Sequence, residues 1–243
     1  MIRIIIVLIL ITFTTAYPHE SISNQHQNEK KMAEVIMNDS FDKNLPSIRE
    51  FILSNGMDPM AMPDYTFPIT FPFGVGKVHL QKGWVQDMVT IRRTGDVILR
   101  YNIFTMKFDF DLGWENVDVA YDYTIRFLGY LRKGLFHGRF HNLKVKIVGS
   151  MDLKTHQLKL DLLKFMDVED FTLKLEGHLT DHLINVMSRI LTAFAKERVL
   201  REVEYQSTKI ITEKIREINE SKLNSIFENN FTSDVREVVK NNL

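Results

Sequence analysis

The residues best placed for chemistry are few, and each set points elsewhere on inspection. His178, Asp181 and His182 are closely spaced, and on a helix His178 and His182 share one face, as zinc ligands do. Two imidazoles and one carboxylate recur by chance, and His178 falls before the expected helix start, so cap and surface roles are expected. His137 and His141 flank Gly138. On one strand they stand roughly 13 Å apart, too far to share a metal. There is no Gly-x-Ser-x-Gly elbow, Walker loop, His-Glu-x-x-His pair or EF-hand loop. Gly74-Val75-Gly76 reads as a turn at a strand start. Zero cysteine removes disulfides, thiolate metal sites and thiol nucleophiles. The expectation is therefore no catalytic residue, no metal, no cofactor and no enzyme.

The side chains left to act are apolar. Phenylalanine and methionine dominate the middle of the chain: Phe104, Met106, Phe108, Phe110 and Phe127 with Tyr121 and Tyr123. Methionine fills irregular space, including promiscuous binding surfaces. A lipid tail burying roughly 400 Å² at 25 cal/mol/Å² gains about 10 kcal/mol before entropy costs, with no charged group required. These residues, with Met187, Leu191 and Phe194 on a late helix, are the expected groove-lining set. An ordinary filled core is the competing reading.

Composition bounds the classes but leaves open what the apolar surplus is for. The 243 residues are 44% hydrophobic, too much for a disordered chain, and 31 Lys+Arg balance 31 Asp+Glu. That balance argues against nucleic acid as a partner, since phosphate binding needs clustered cations. One local exception is Tyr130-Leu131-Arg132-Lys133-Gly134, with Arg139, Lys144 and Lys146. It reads as the wet side of strands and a turn, or as a weak membrane-surface contact for anionic headgroups. Trp84 and Trp114 fit either a membrane interface or a core. The oligomeric state is left open.

The elements that must position these residues follow from periodicity. Residues 1–16, MIRIIIVLILITFTTA, read as a secretory signal peptide: Arg3, a short apolar run, then Thr14 and Ala16 before the cut. The expected protein is secreted and extracellular. Residues 17–27 read as a flexible N-terminus, 28–219 as a single domain, and 220–243 as a polar tail that frays. A helix is expected over Asn28–Asn55, with Pro46 marking a break capped by Asp42 or Asn44 and Gly56 as the stop. Prolines up to Pro72 mark an extended link. Met106, Phe108, Phe110, Leu112 and Trp114 alternate with polar residues, as do Val117 through Phe127, giving two long strands. A bulge is expected near Phe104 and Thr105, and shorter strands follow to Leu175. From His178 onward there is neither glycine nor proline. A helix capped by Thr180 is expected there; its roughly 57 Å exceeds a compact domain's diameter of roughly 45 Å. The fold class expected is α+β: an elongated, highly curved antiparallel sheet, a half-barrel, wrapped along a long C-terminal helix, with an N-terminal helix.

The passage Asn55-Gly56-Met57-Asp58-Pro59-Met60-Ala61-Met62-Pro63-Asp64 resembles the Asp-Pro-Met/Leu-x-Val/Met-Pro-Asp passage of group 7 mite allergens and their insect relatives. Leu183 through Phe194 resembles that family's final helix. The resemblance covers nearly the whole mature chain. It implies the fold of bactericidal/permeability-increasing protein and of juvenile-hormone-binding and takeout-like carriers, in which an apolar groove holds lipid. Carriers of the latter kind usually have an N-terminal cysteine pair; its absence favours the allergen-like branch. The function implied is non-enzymatic binding or transport of a lipid or other hydrophobic small molecule. The alternative is an extracellular recognition protein with a filled core. Sequons at Asn38, Asn219 and Asn230 are candidate glycan acceptors.

Overall fold

The structure, a computed structural model, describes residues 32–71, 74–166, 168, 170–177 and 181–240; the side chains of 71, 181–183 and 222–240 are outside that description. The expected signal peptide, the 17–27 segment, the Thr180 cap and the His178/Asp181/His182 set lie outside it.

Among the described residues nine strands form one antiparallel sheet, built on a single long hairpin. Its arms are β6 (Thr105–Phe127) and β7 (Tyr130–Asp152), each 23 residues. At about 3.3 Å per residue each arm runs roughly 75 Å. The outer edges are assembled in halves. Toward the Thr105/Asp152 end, β5 (Arg92–Tyr101) pairs with β6, and β8 (Leu158–Phe165) with β7. Toward the hairpin tip, β4 (Gly74–Gln86) pairs with β6, and β9 (Asp170–Glu176) with β7. Beyond these lie β1 (Ala33–Ile36) on β5, and β2 (Met60–Met62) and β3 (Tyr65–Phe71) on β4.

The helices lie on one face. They are α1 (Asn38–Ser54), α2 (Asp181–Phe194) and α3 (Leu200–Lys240), with a π-helical turn (Ala195–Val199) joining the last two. One large core of buried residues spans sheet, α1, α2 and the start of α3. A small second core of Leu99, Met106 and Met151 sits at the far end.

The half-barrel expected from the strand pattern is present, and several details differ from the expectation. The two alternating runs are one strand. Pairing of β6 with β7 keeps one register from Thr105↔Asp152 to Phe127↔Tyr130, skipping only Glu115 and Asn142. There Asn142 adopts φ +50°, and the inward face switches parity on both arms at once, from Leu112 and Trp114 to Val117 and Val119. Alternation cannot pass through such a kink, so it reads as a break. The expected bulge at Phe104 and Thr105 is instead the β5–β6 turn, in which the Asn102 carboxamide accepts from the Phe104 and Thr105 amides (2.9 and 2.7 Å).

The N-terminal helix starts later than expected. Residues 33–36 pair with β5, and the helix begins at Asn38. Pro46 does not break it. Gly56 ends it at φ +66°, with the Met57 amide donating to Ile52 O (3.0 Å), a C-terminal cap that favours glycine. The backbone stays helical to Lys240, past the point where fraying was expected.

Candidate functional site

The two halves of the concave face are filled differently. Under α2 the space is closed by large side chains. Tyr121, Tyr123, Phe136, Phe140, Met187 and Leu191 are each less than 2% exposed. Tyr121 stacks on Phe136, and Phe194 meets Tyr65, Phe67 and Tyr121. The two tyrosine hydroxyls have backbone partners: Tyr123 donates to Glu176 O (3.0 Å) and Tyr121 to Pro63 O (3.4 Å). Burial pushes both phenols above the ordinary tyrosine value. This packing explains two glycines. A Cβ at Gly83 would collide with the Tyr121 ring, and one at Gly138 with the Phe171 ring.

Under α3 the apolar stripe is sparse, and space remains. A cavity of about 160 Å³ lies between α3 and the sheet. Phe108 and Phe110 of β6, Ile147, Gly149 and Met151 of β7, Leu158 and Leu160 of β8, and Ile211 and Ile215 of α3 form its walls. Only Ser150 and Lys159 bring polar atoms. Lys159 is tied to Asp161 (3.2 Å). Burial raises the Asp161 carboxyl, but hydrogen bonds with Ser150 and Lys159 outweigh it and hold the group below its ordinary value. No unpaired charge therefore needs to enter the cavity.

One clasp holds α3 over this space. The Asn219 carboxamide donates to Leu158 O and accepts from Leu158 N–H, both at 2.9 Å. It pairs with the start of β8 as a neighbouring strand would. The sequon asparagine at 219 is thus engaged in the fold. Asn38 is engaged too, donating to Asp96 (2.9 Å) and accepting from the Val97 amide (2.9 Å).

Two other recesses are more polar. One of about 310 Å³ opens between β3 and α2 beside Tyr65, Phe194, Glu197 and Arg198. Another of about 480 Å³ lies beside Asn55, Glu202, Lys209, Glu213 and Lys214.

The expected groove residues therefore scatter. Phe108 and Phe110 line the apolar cavity. Met106 sits in the adjoining small core. Tyr121, Tyr123, Met187 and Leu191 are in the filled half, Phe127 is half-buried near the hairpin tip, and Phe194 borders the 310 Å³ recess. Phe104 is 52% exposed in the β5–β6 turn, away from the cavity. Trp114 is a core residue whose indole donates to Met88 O (2.7 Å). His141 bonds Asn116 and Thr172 (2.9 and 3.0 Å), a surface role. Among the described residues no cluster of three or more metal-type ligands occurs.

The Asp58–Asp64 passage has a structural use that sequence reading missed. The Asp58 carboxylate accepts from the Asp87 and Val89 amides (3.0 and 2.7 Å), ordering the turn that joins β4 to β5. Asp64 accepts from the amide of Lys82 (3.0 Å), which sits at φ +53° in the β4 bulge. Both aspartates brace points where β4 departs from regular pairing.

A long bent hairpin, edged by short strands and lined on one face by terminal helices, defines a half-barrel with an apolar interior. The family model described as group 7 allergen matches residues 36–215, and the chain belongs to that family. No curated protein sequence matches the chain. Among solved structures, lipopolysaccharide binding protein is similar at a TM-score of 0.51 and 12% identity. The match covers 74% of this chain and 40% of that one, so this chain spans less than half of that protein's length. Takeout 1 of Epiphyas postvittana aligns at a TM-score of 0.47 and 16% identity, covering 74% of this chain and 90% of that one. Among the described residues no helix is long and apolar enough to cross a membrane.

Proposed function

We propose that this protein is a secreted, non-enzymatic binder of a hydrophobic small molecule or lipid, held in the apolar groove between α3 and the β6–β7–β8 surface. The observation that carries this reading is the cavity of about 160 Å³ walled by Phe, Ile, Leu and Met side chains. An enclosed cavity of about 150 Å³ with similar walls takes a benzene-sized guest, and this space is of that volume but partly open to solvent. The space as it stands suits one ring or a short alkyl segment. Drug-sized ligands occupy roughly 300–1,000 Å³. A full lipid tail therefore requires α3 to move outward, which its sparse apolar contacts permit. The fold relative lipopolysaccharide binding protein is named for a lipid-bearing ligand, which supports the same direction. The sequons at Asn38, Asn219 and Asn230 remain candidate glycan acceptors.

A second reading has its own support. The half under α2 is packed with large buried side chains apart from the polar recess beside Tyr65 and Phe194, so a recognition protein that contacts a microbial lipid or receptor by its surface also fits. Native mass spectrometry of the secreted protein before and after solvent extraction separates the two. A stoichiometric apolar ligand is expected. A protein that is empty, and that also takes up no fluorescent fatty acid, rejects the groove reading.

A further inference from the structure

The turn at the tip of the long hairpin exposes apolar side chains where folding gains nothing from them. Leu128 and Gly129 have φ +45° and +81°, the signs of a type I′ turn. Such turns favour Asn-Gly, because asparagine tolerates positive φ and leucine does not. Leu128 is nonetheless there, 64% exposed. Val75, Tyr130, Leu131 and Leu135 around it are also exposed.

Register places cations among them. Lys77 is opposite Arg126, Arg126 opposite Leu131, and Lys133 opposite Thr124, all on the outward face, with Arg132 on the other face beside Tyr130. Several other cations of the sheet meet carboxylates, as in Arg139–Asp118, Arg93–Asp42 and Lys146–Asp109, while among the described residues Lys144 and Lys164 also stand without one. Among the described residues no carboxylate pairs with Lys77, Arg126 or Lys133, although like charges face each other at Lys77↔Arg126. The next acids along this face, Asp122 and Glu176, are already held by Lys82 (3.3 Å) and Lys174 (2.9 Å).

From this juxtaposition of exposed Leu128, Leu131 and Val75 with unpaired Lys77, Arg126 and Lys133, we infer that the hairpin tip docks on the surface of an anionic phospholipid bilayer. The aliphatic side chains enter the headgroup region while the cations meet lipid phosphate and carboxylate groups. The inference is independent of whether the groove binds a ligand.

Cosedimentation with vesicles tests it, using the full mature chain. Phosphatidylcholine vesicles containing phosphatidylserine are compared with phosphatidylcholine alone, at low and high salt. The protein is expected to pellet with the anionic vesicles and to be released partly by salt. A triple variant, Lys77→Gln, Arg126→Gln and Lys133→Gln, is expected to lose about a hundredfold in anionic-vesicle affinity, since each such cation contributes about fivefold. Leu128→Asn is the sharper variant. It restores the favoured Asn-Gly turn, so its melting temperature is expected to hold or rise while vesicle affinity falls about tenfold. No binding to anionic vesicles, equal binding to neutral ones, or full affinity in Leu128→Asn overturns the inference. So does concentration-dependent self-association of the wild type that Leu128→Asn abolishes, since it assigns the patch to a second copy of the chain.

Discussion

Replacing Gly149 by leucine should fill the apolar cavity and abolish ligand uptake while making the protein more stable. Gly149 lies in β7 between Phe108 and Leu160 and lines the cavity. A Cβ built there meets only the Lys159 carbonyl oxygen, at 3.4 Å, a close but tolerable contact. Four added carbons then enter about 160 Å³ of empty space. Removing glycine from a strand contributes about 0.5–1 kcal/mol. Burying on the order of 100 Å² of apolar surface contributes about 2.5 kcal/mol, less about 0.5–1 kcal/mol of side-chain entropy. The net gain is about 2.5 kcal/mol, which for a chain of this size raises Tm by about 5–10 °C. Differential scanning calorimetry reads that shift, and displacement of a fluorescent fatty acid reads the site. Leu191→Ala is the control. It empties a fully buried position in the filled half, costing about 2–5 kcal/mol, while probe affinity per folded molecule is retained. A raised Tm with undiminished probe binding in Gly149→Leu refutes the groove as the site. A fall in Tm of several degrees refutes the claim that the space is there.

Two further outcomes follow from the same geometry. Asn219→Ala removes both 2.9 Å bonds to Leu158 and should speed amide exchange along the α3 segment over the groove, with faster ligand entry; unchanged exchange there denies the clasp. Burial raises the Tyr121 and Tyr123 phenols above the ordinary 10.0, so their contribution to stability is intact below pH 10 and is lost as pH rises further and the unfolded chain's phenols ionise first. Phenolate absorbance from these two residues should appear only together with unfolding, and Tyr121→Phe should soften the alkaline decline; ionisation within a still-folded protein contradicts the burial.

Strand alternation carried most of the architecture, because each arm of the hairpin buries one face and period two survives wherever pairing is regular. It failed at Glu115 and Asn142, where a positive φ reverses the inward face without ending the strand. It failed again at Ala33–Ile36, which is held in a strand by pairing with β5; spacing within the segment carries no trace of that partner. The expected groove set spans two regions that the structure keeps apart: the dense stripe Met187, Leu191, Phe194 packs into the core under α2. The cavity lies where the helix is apolar-poor, under Ile211 and Ile215, and Gly149 opposite them supplies room by having no side chain. A shortage of apolar atoms facing a long sheet was the signal available in the sequence, and it required knowing which helical segment crosses which half of the sheet. The aspartates at 58 and 64 could be recognised as part of a motif, but their bracing of β4 depends on contacts with residues some twenty to thirty positions away.

The function proposed for the space under α3 is to hold an apolar molecule. Native mass spectrometry of the protein as secreted, repeated after solvent extraction and after reloading with a fatty acid, addresses it most directly. One stoichiometric adduct is expected, lost on extraction and regained on reloading. An unliganded protein that stays unliganded at saturating fatty acid contradicts it.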